Sequence, residues 1–136
     1  MATALGLVTA GVLVALAALH VIWARGGHWP LSDRDALFER VTPPGMARPG
    51  PPETWLIAVL LAAGAVLVAL SAIGVDTWIT FAGTMVVGIV LLLRGLGGLV
   101  VSGLWRTDST FARLDRRVFA PLCLALALGA AVSLPG

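Results

Sequence analysis

Apolar residues fall in four long blocks, at about 3–24, 55–75, 77–102 and 118–134, and the polar residues collect between them. A bilayer's hydrocarbon core is about 30 Å thick and takes roughly 20 helical residues to cross, so each block is long enough for one transmembrane helix. A segment without water must satisfy its own backbone hydrogen bonds, and a helix does so. The pattern therefore predicts an all-α fold: a four-transmembrane-helix antiparallel bundle, one integral membrane domain over residues 1–136. A cleaved signal peptide is the alternative for the first block, but the basic n-region of such peptides is missing.

Small residues recur at helix-contact spacing within the blocks. Gly6/Ala10 and Gly11/Ala15 do so in the first, Ala58, Ala62, Ala65, Ala69 and Ala72 in the second, and Ala125, Gly129 and Ser133 in the fourth. Such stripes let helix backbones approach closely. Gly74-Val75-Asp76 leaves room only for a tight turn, so the second and third blocks are antiparallel neighbours. The other two connectors are longer, and each predicts a short interfacial helix. In the first, Ser32-Asp33-Arg34-Asp35 reads as a capping box, followed by Leu37, Phe38 and Val41 on an apolar side. That helix ends before Pro43, and the prolines from Pro43 to Pro52 exclude helix there. In the connector from Trp105 to Arg117, Phe111, Leu114 and Val118 are spaced i, i+3, i+7 among Arg113, Asp115, Arg116 and Arg117. Gly97-Gly98 is expected to loosen the third helix near its end, and Pro121 falls in the first turns of the fourth.

Composition agrees with the pattern. The chain of 136 residues is 59% hydrophobic and 12% charged, against about 25% charged in soluble domains. A net charge of +2, with no basic patch interleaved with aromatics, argues against nucleic-acid binding. All nine basic residues are arginine. Arg25, Arg34, Arg40, Arg48, Arg106, Arg113, Arg116 and Arg117 occupy the first and third connectors, and the second connector and both termini hold none. The positive-inside rule then predicts cytoplasmic first and third connectors and outside termini, in a cytoplasmic membrane. Cys123 is expected to be a small packing residue. No cysteine–histidine spacing for a metal, pair of helical histidines for haem, HExxH, nucleophile elbow or phosphate loop occurs, so no cofactor is expected.

The ninth arginine, Arg94, lies inside the third block. A charge at membrane depth costs roughly 3 kcal/mol on insertion scales, so it usually faces a bundle interior or a polar cavity. Two readings stand. Arg94 either snorkels towards the headgroups, or it is buried and paired with a polar group of another helix, in the space that the small residues Gly95, Gly98 and Ser102 leave on one face. In the predicted topology His20, Trp23, Arg94 and Asp115 come to the same end of the bundle, with Asp115 a partner for Arg94 or His20. These four form the candidate ligand-binding pocket. A desolvated guanidinium needs carboxylate, phosphate or carbonyl oxygens, and a lipid headgroup is the simplest occupant. The alternative is that the same side chains only bond one another and fix helix packing. No acid lies inside any block, which argues against proton-coupled transport.

Three patches carry a likeness: His20-Val21-Ile22-Trp23-Ala24-Arg25-Gly26-Gly27, then Arg94-Gly95-Leu96-Gly97, then Phe111-Ala112-Arg113-Leu114-Asp115 leading into Pro121-Leu122-Cys123-Leu124. In this order they resemble a family of small bacterial four-helix membrane proteins, the domain of unknown function number 3995. The resemblance covers nearly the whole chain and implies the four-helix membrane fold, but no activity. The chain departs from the pattern after Gly97, where it is more apolar than the family. The expected function is a non-enzymatic accessory or lipid-binding membrane protein, with membrane lipids as partners. One rival is a small membrane enzyme acting on a lipid or quinone, with His20 as general acid/base and Arg94 orienting an anion. Another is a small transporter, or a structural subunit packed on other membrane proteins or on copies of itself.

Overall fold

A computed structural model describes residues 2–42, 47–104 and 110–134. Its elements are α1 (Ala2–Ala24), α2 (Arg34–Val41), α3 (Pro51–Ala72), α4 (Trp78–Leu104), α5 (Thr110–Leu114), a π-helical turn (Asp115–Phe119) and α6 (Ala120–Ser133). Among the described residues there is no strand. Four stretches are long and apolar enough to cross a membrane: Thr3–Ala24, Pro51–Ala72, Trp78–Val100 and Thr110–Ser133.

Helix α1 packs mainly on α3 and α4 mainly on α6, and the two pairs close into a ring through α1–α6 and α3–α4. Neighbours run antiparallel. Gly6, near the start of α1, faces the ends of α3 and α6, where a Cβ on it would stand 2.6 Å from that of Ala72 and 3.0 Å from that of Ser133. Ala10, Leu13, Ala65, Val68, Leu126 and Ala130 form the core. Small residues dominate it because close backbone approach, not expulsion of water, holds helices together in lipid. Large side chains such as Val59 and Leu60 on α3 and Val86, Val90 and Leu93 on α4 point outward. Of the small-residue stripes, Gly6, Ala10, Ala58, Ala65, Ala72, Gly129 and Ser133 are buried, whereas Gly11, Ala15, Ala62 and Ala125 are exposed.

Several boundaries differ from those the pattern predicts. Pro51 and Pro52 open α3 instead of preceding it, because the first turn of a helix has unbonded N–H groups and tolerates proline. The N-cap of α2 is Asp33, not Ser32, and its Oδ1 accepts from the Ala36 N–H at 2.7 Å. Gly97-Gly98 does not loosen α4 into a break, and the helix runs on to Leu104. The short helix of the third connector, α5, passes without interruption into the fourth span, which therefore begins at Thr110 and not at Val118. The π turn makes that continuity compatible with Pro121. Ala120 N–H donates to Asp115 O, five residues back, and the wider turn relieves the clash a proline ring makes in a regular helix. Asp115 is thus an acid within a spanning helix, where the sequence pattern left none. Pro43–Met46, Trp105, Arg106 and the Ser102 side chain lie outside the described residues.

Candidate functional site

The end of α1 is a tight turn held by its own sequence. Gly26 adopts φ +95°, a conformation that favours glycine. Gly26 N–H donates to Trp23 O at 3.1 Å and Gly27 N–H to Ile22 O at 2.8 Å, a helix-closing pattern that satisfies the last carbonyls. Gly27 approaches so closely that a Cβ there would stand 2.6 Å from Ile22 Cγ2. Trp23 Nε1–H donates to Trp29 O at 2.8 Å. From α2, Arg34 Nη1 donates to Gly27 O at 2.9 Å and to Trp23 O at 3.3 Å. These bonds explain Trp23, Gly26 and Gly27, and tight packing explains the buried Ala24. They do not explain His20.

His20 lies one turn earlier, half-buried, with its ring centre 4.9 Å from that of Trp23. Its Nδ1 is 2.7 Å from Leu16 O. A carbonyl only accepts, so Nδ1 carries the proton, and in the neutral ring Nε2 is left as an acceptor. His20 and Trp23 form one wall of a cavity of about 110 Å³, completed chiefly by Arg34 and Phe38 of α2 and by Thr54 and Ile57 of α3. The Arg34 guanidinium carbon lies 5.0 Å from the centre of the Phe38 ring, and that of Arg48 4.9 Å from it, within the range of cation–π attraction. Thr54 Oγ1 donates to Gly50 O at 3.0 Å. Helix α2 is seated by Leu37, only 1% exposed, and by Thr110 Oγ1, which donates to Glu39 Oε1 at 3.0 Å. The two arginine-bearing connectors therefore touch.

Arg94 meets Asp115 nearby. Arg94 Nη2 is 2.9 Å from Asp115 Oδ1, with the Asp115 side chain 4% exposed and that of Arg94 42%. At 1.5 Å per residue Arg94 stands about 24 Å along α4 from Trp78, inside an apolar layer of about 30 Å but near its far edge. The carboxylate is buried and the guanidinium reaches partly out of the protein, so pairing and snorkelling combine. Two glycines of α4 make room. A Cβ on Gly98 would stand 2.6 Å from Arg94 Nη1 and 2.7 Å from Asp115 Oδ2. One on Gly95 would stand 2.7 Å from Leu124 Cδ2 and 3.0 Å from Ala120 O. Gly95 admits the fourth span beside its π turn, and Gly98 admits the ion pair.

The four residues singled out in the sequence thus fall in two pairs. His20 and Trp23 line the cavity, and neither Arg94 nor Asp115 is among its lining residues. Asp115 meets Arg94 in an ion pair. Arg34 and Thr54 are site members that sequence reasoning missed. Arg34 reads as one of several polar residues on an interfacial helix, and nothing marks Thr54 beyond its place after Pro51-Pro52-Glu53. Among the described residues, no three His, Cys, Asp or Glu side chains come together as a metal site.

The chain belongs to a family of proteins of unknown function (DUF3995), whose model matches residues 13–130. The match spans both residue pairs. Neither a curated protein nor a solved structure matches the chain.

Proposed function

We propose that this protein is a non-enzymatic, lipid-binding accessory protein of a bacterial cytoplasmic membrane. In this reading both termini lie outside, the arginine-bearing connectors are cytoplasmic, and a lipid headgroup occupies the cavity between α1, α2 and α3. The cavity itself carries the proposal. It sits at the arginine-rich end, one helical turn from the end of α1, where headgroups lie. It presents a cation, Arg34, and the outer ring nitrogen of His20, Nε2, which accepts when the ring is neutral. Ile57 of its lining is 42% exposed on α3, which leaves the cavity bordering the bilayer. Arg94 has its charge met by Asp115 and belongs to the frame, so the ligand-binding role moves from Arg94 and Asp115 to Arg34 beside His20 and Trp23.

Native mass spectrometry from mild detergent tests this on wild type, Arg34→Gln and Arg25→Gln, the last altering an exposed arginine outside the cavity. Wild type and Arg25→Gln should retain a lipid that Arg34→Gln loses. A folded wild type carrying no lipid would overturn the reading. The orientation is tested in a Cys123→Ser background. Asp76→Cys should react with an impermeant thiol reagent in intact cells, and Ser32→Cys only after permeabilisation.

The acceptor on His20 also favours a second reading, a membrane enzyme that takes a proton from a lipid or quinol hydroxyl at Nε2. Turnover in proteoliposomes that vanishes in His20→Ala would support it over simple binding.

A further inference from the structure

The lipid-binding reading leaves open which headgroup fits, and the unspent polar groups of the cavity bear on that. Arg34 Nη1 is used on Gly27 O and Trp23 O. That leaves the Nε–Nη2 edge, the edge able to hold two oxygens of one phosphate. Among the described residues the neighbouring acids are engaged elsewhere: Asp33 caps α2 and Asp35 pairs with Arg48 at 2.8 Å. The other two polar groups want donors. His20 Nε2 accepts, and Thr54 Oγ1, having given its proton to Gly50 O, accepts as well. A phosphodiester has no donor of its own, so it satisfies Arg34 and leaves His20 and Thr54 unmet. A ligand that satisfies all three carries phosphate and hydrogen-bond donors together. An ammonium would supply donors, but Arg34 and Arg48 both hold their guanidinium carbons within 5.0 Å of the Phe38 ring centre, and a third cation beside them is repelled. Hydroxyl groups carry no such penalty. The volume of about 110 Å³ equals the share of roughly four water molecules, room for about four heavy atoms such as two phosphate oxygens and two hydroxyl oxygens, with the rest of the headgroup outside it.

We infer that the cavity between His20, Arg34 and Thr54 selects an anionic phosphate ester bearing free hydroxyl groups, the phosphoglycerol class. It does so over zwitterionic headgroups and over anionic ones without hydroxyls. The inference rests on the lipid-binding reading and sharpens it.

The test is competition among equimolar phosphatidylglycerol, phosphatidylmethanol and phosphatidylethanolamine in mixed micelles with the full chain, read by native mass spectrometry. Phosphatidylmethanol has the same charge as phosphatidylglycerol and no hydroxyl. Phosphatidylglycerol should be retained over it by roughly three- to tenfold, the effect of one or two hydrogen bonds, and over phosphatidylethanolamine by more. His20→Phe keeps a ring against Trp23 and should abolish the preference over phosphatidylmethanol while leaving the selection against phosphatidylethanolamine. Arg34→Gln should retain none of the three lipids. Thr54→Val reads the hydroxyl preference independently should His20→Phe fail to fold. Added sn-glycerol 3-phosphate separates the sources: displacement of the lipid identifies a soluble ester as a ligand and persistence identifies the lipid, and either upholds the phosphoglycerol chemistry. Equal retention of the three lipids would overturn this inference and leave lipid binding standing. A folded protein with no adduct would overturn both.

Discussion

The two ends of the bundle treat polar groups in opposite ways. At the end closed by Gly74, the buried polar side chains are hydroxyls that return to backbone carbonyls of the helices and their turn. Thr84 Oγ1 donates to Leu67 O at 3.1 Å and lies 2.9 Å from Ser71 Oγ. Thr80 Oγ1 donates to Val75 O at 2.7 Å, Thr9 to Leu5 O at 2.8 Å, and Ser133 to Ala130 O at 2.7 Å. A hydroxyl's single proton can be absorbed by its own or a neighbouring helix, so this end needs no special architecture. A guanidinium cannot be absorbed that way. The arginine-rich end needs a carboxylate 2.9 Å from Arg94, a π turn to place it and a missing side chain at Gly98 to admit it. Among the described residues it also keeps polar groups that the fold does not use, His20 Nε2 and one edge of Arg34. The closed end ties its buried hydroxyls to backbone carbonyls, whereas the arginine-rich end is built around charge.

The sharpest way to break this contrast is Arg94→Leu. It takes the Arg94 cation away from the buried Asp115 carboxylate, and losing one member of a buried pair costs up to about 3–5 kcal/mol. Unfolding in mixed micelles with rising SDS should show that loss. The double variant Arg94→Leu/Asp115→Leu should recover much of it, because the desolvated charges go together. A cost below about 1 kcal/mol for Arg94→Leu would mean that the pair does not hold this end. Next in size is Gly98→Ala, where a Cβ would meet both members of the pair. Overpacking of this kind costs about 1–3 kcal/mol. Gly97→Ala, one position away and with nothing within 4 Å of its would-be Cβ, should be neutral or stabilise by up to about 1 kcal/mol. At the closed end, Thr84→Val keeps the shape of a side chain that is 0% exposed and removes its hydroxyl. It should cost about 1 kcal/mol, the net worth of a neutral hydrogen bond. A loss as large as that of Arg94→Leu would erase the distinction between the ends.

The same contrast explains what was legible in the sequence. Four spans, the turn at Gly74 and the Arg94–Asp115 candidate pair follow from hydropathy and from the expense of a lone charge in lipid. The start of the fourth span did not, because Asp115, Arg116 and Arg117 interrupt the apolar run and only the π turn before Pro121 carries the helix through them. Gly98 was visible as small, but its task depends on which way Arg94 bends. The cavity was half legible. His20 and Trp23 stand out as a polar and an aromatic residue at a helix end. Arg34 and Thr54 join them through the fold of the first connector, and no local pattern marks a residue brought in from α2 or from the first turn of α3.

The smallest expected effect tests whether arginines at this end matter by number or by position. Arg48 also pairs with an acid, Asp35, at the same sort of distance as Arg94 with Asp115, 2.8 Å. Its surroundings differ: the side chains are 55% and 84% exposed, so water screens the attraction and side-chain entropy opposes it. Such pairs contribute about 0–1 kcal/mol, and added salt weakens them further. The contact of Arg48 with Phe38 adds at most a similar amount at an exposed site. Arg48→Ala should therefore shift the SDS unfolding midpoint by a small fraction of the Arg94→Leu shift, and by less still at high salt. If it destabilised the bundle as much as Arg94→Leu, the frame of this end would rest on its total positive charge, and the burial of Asp115 would not be what sets Arg94 apart.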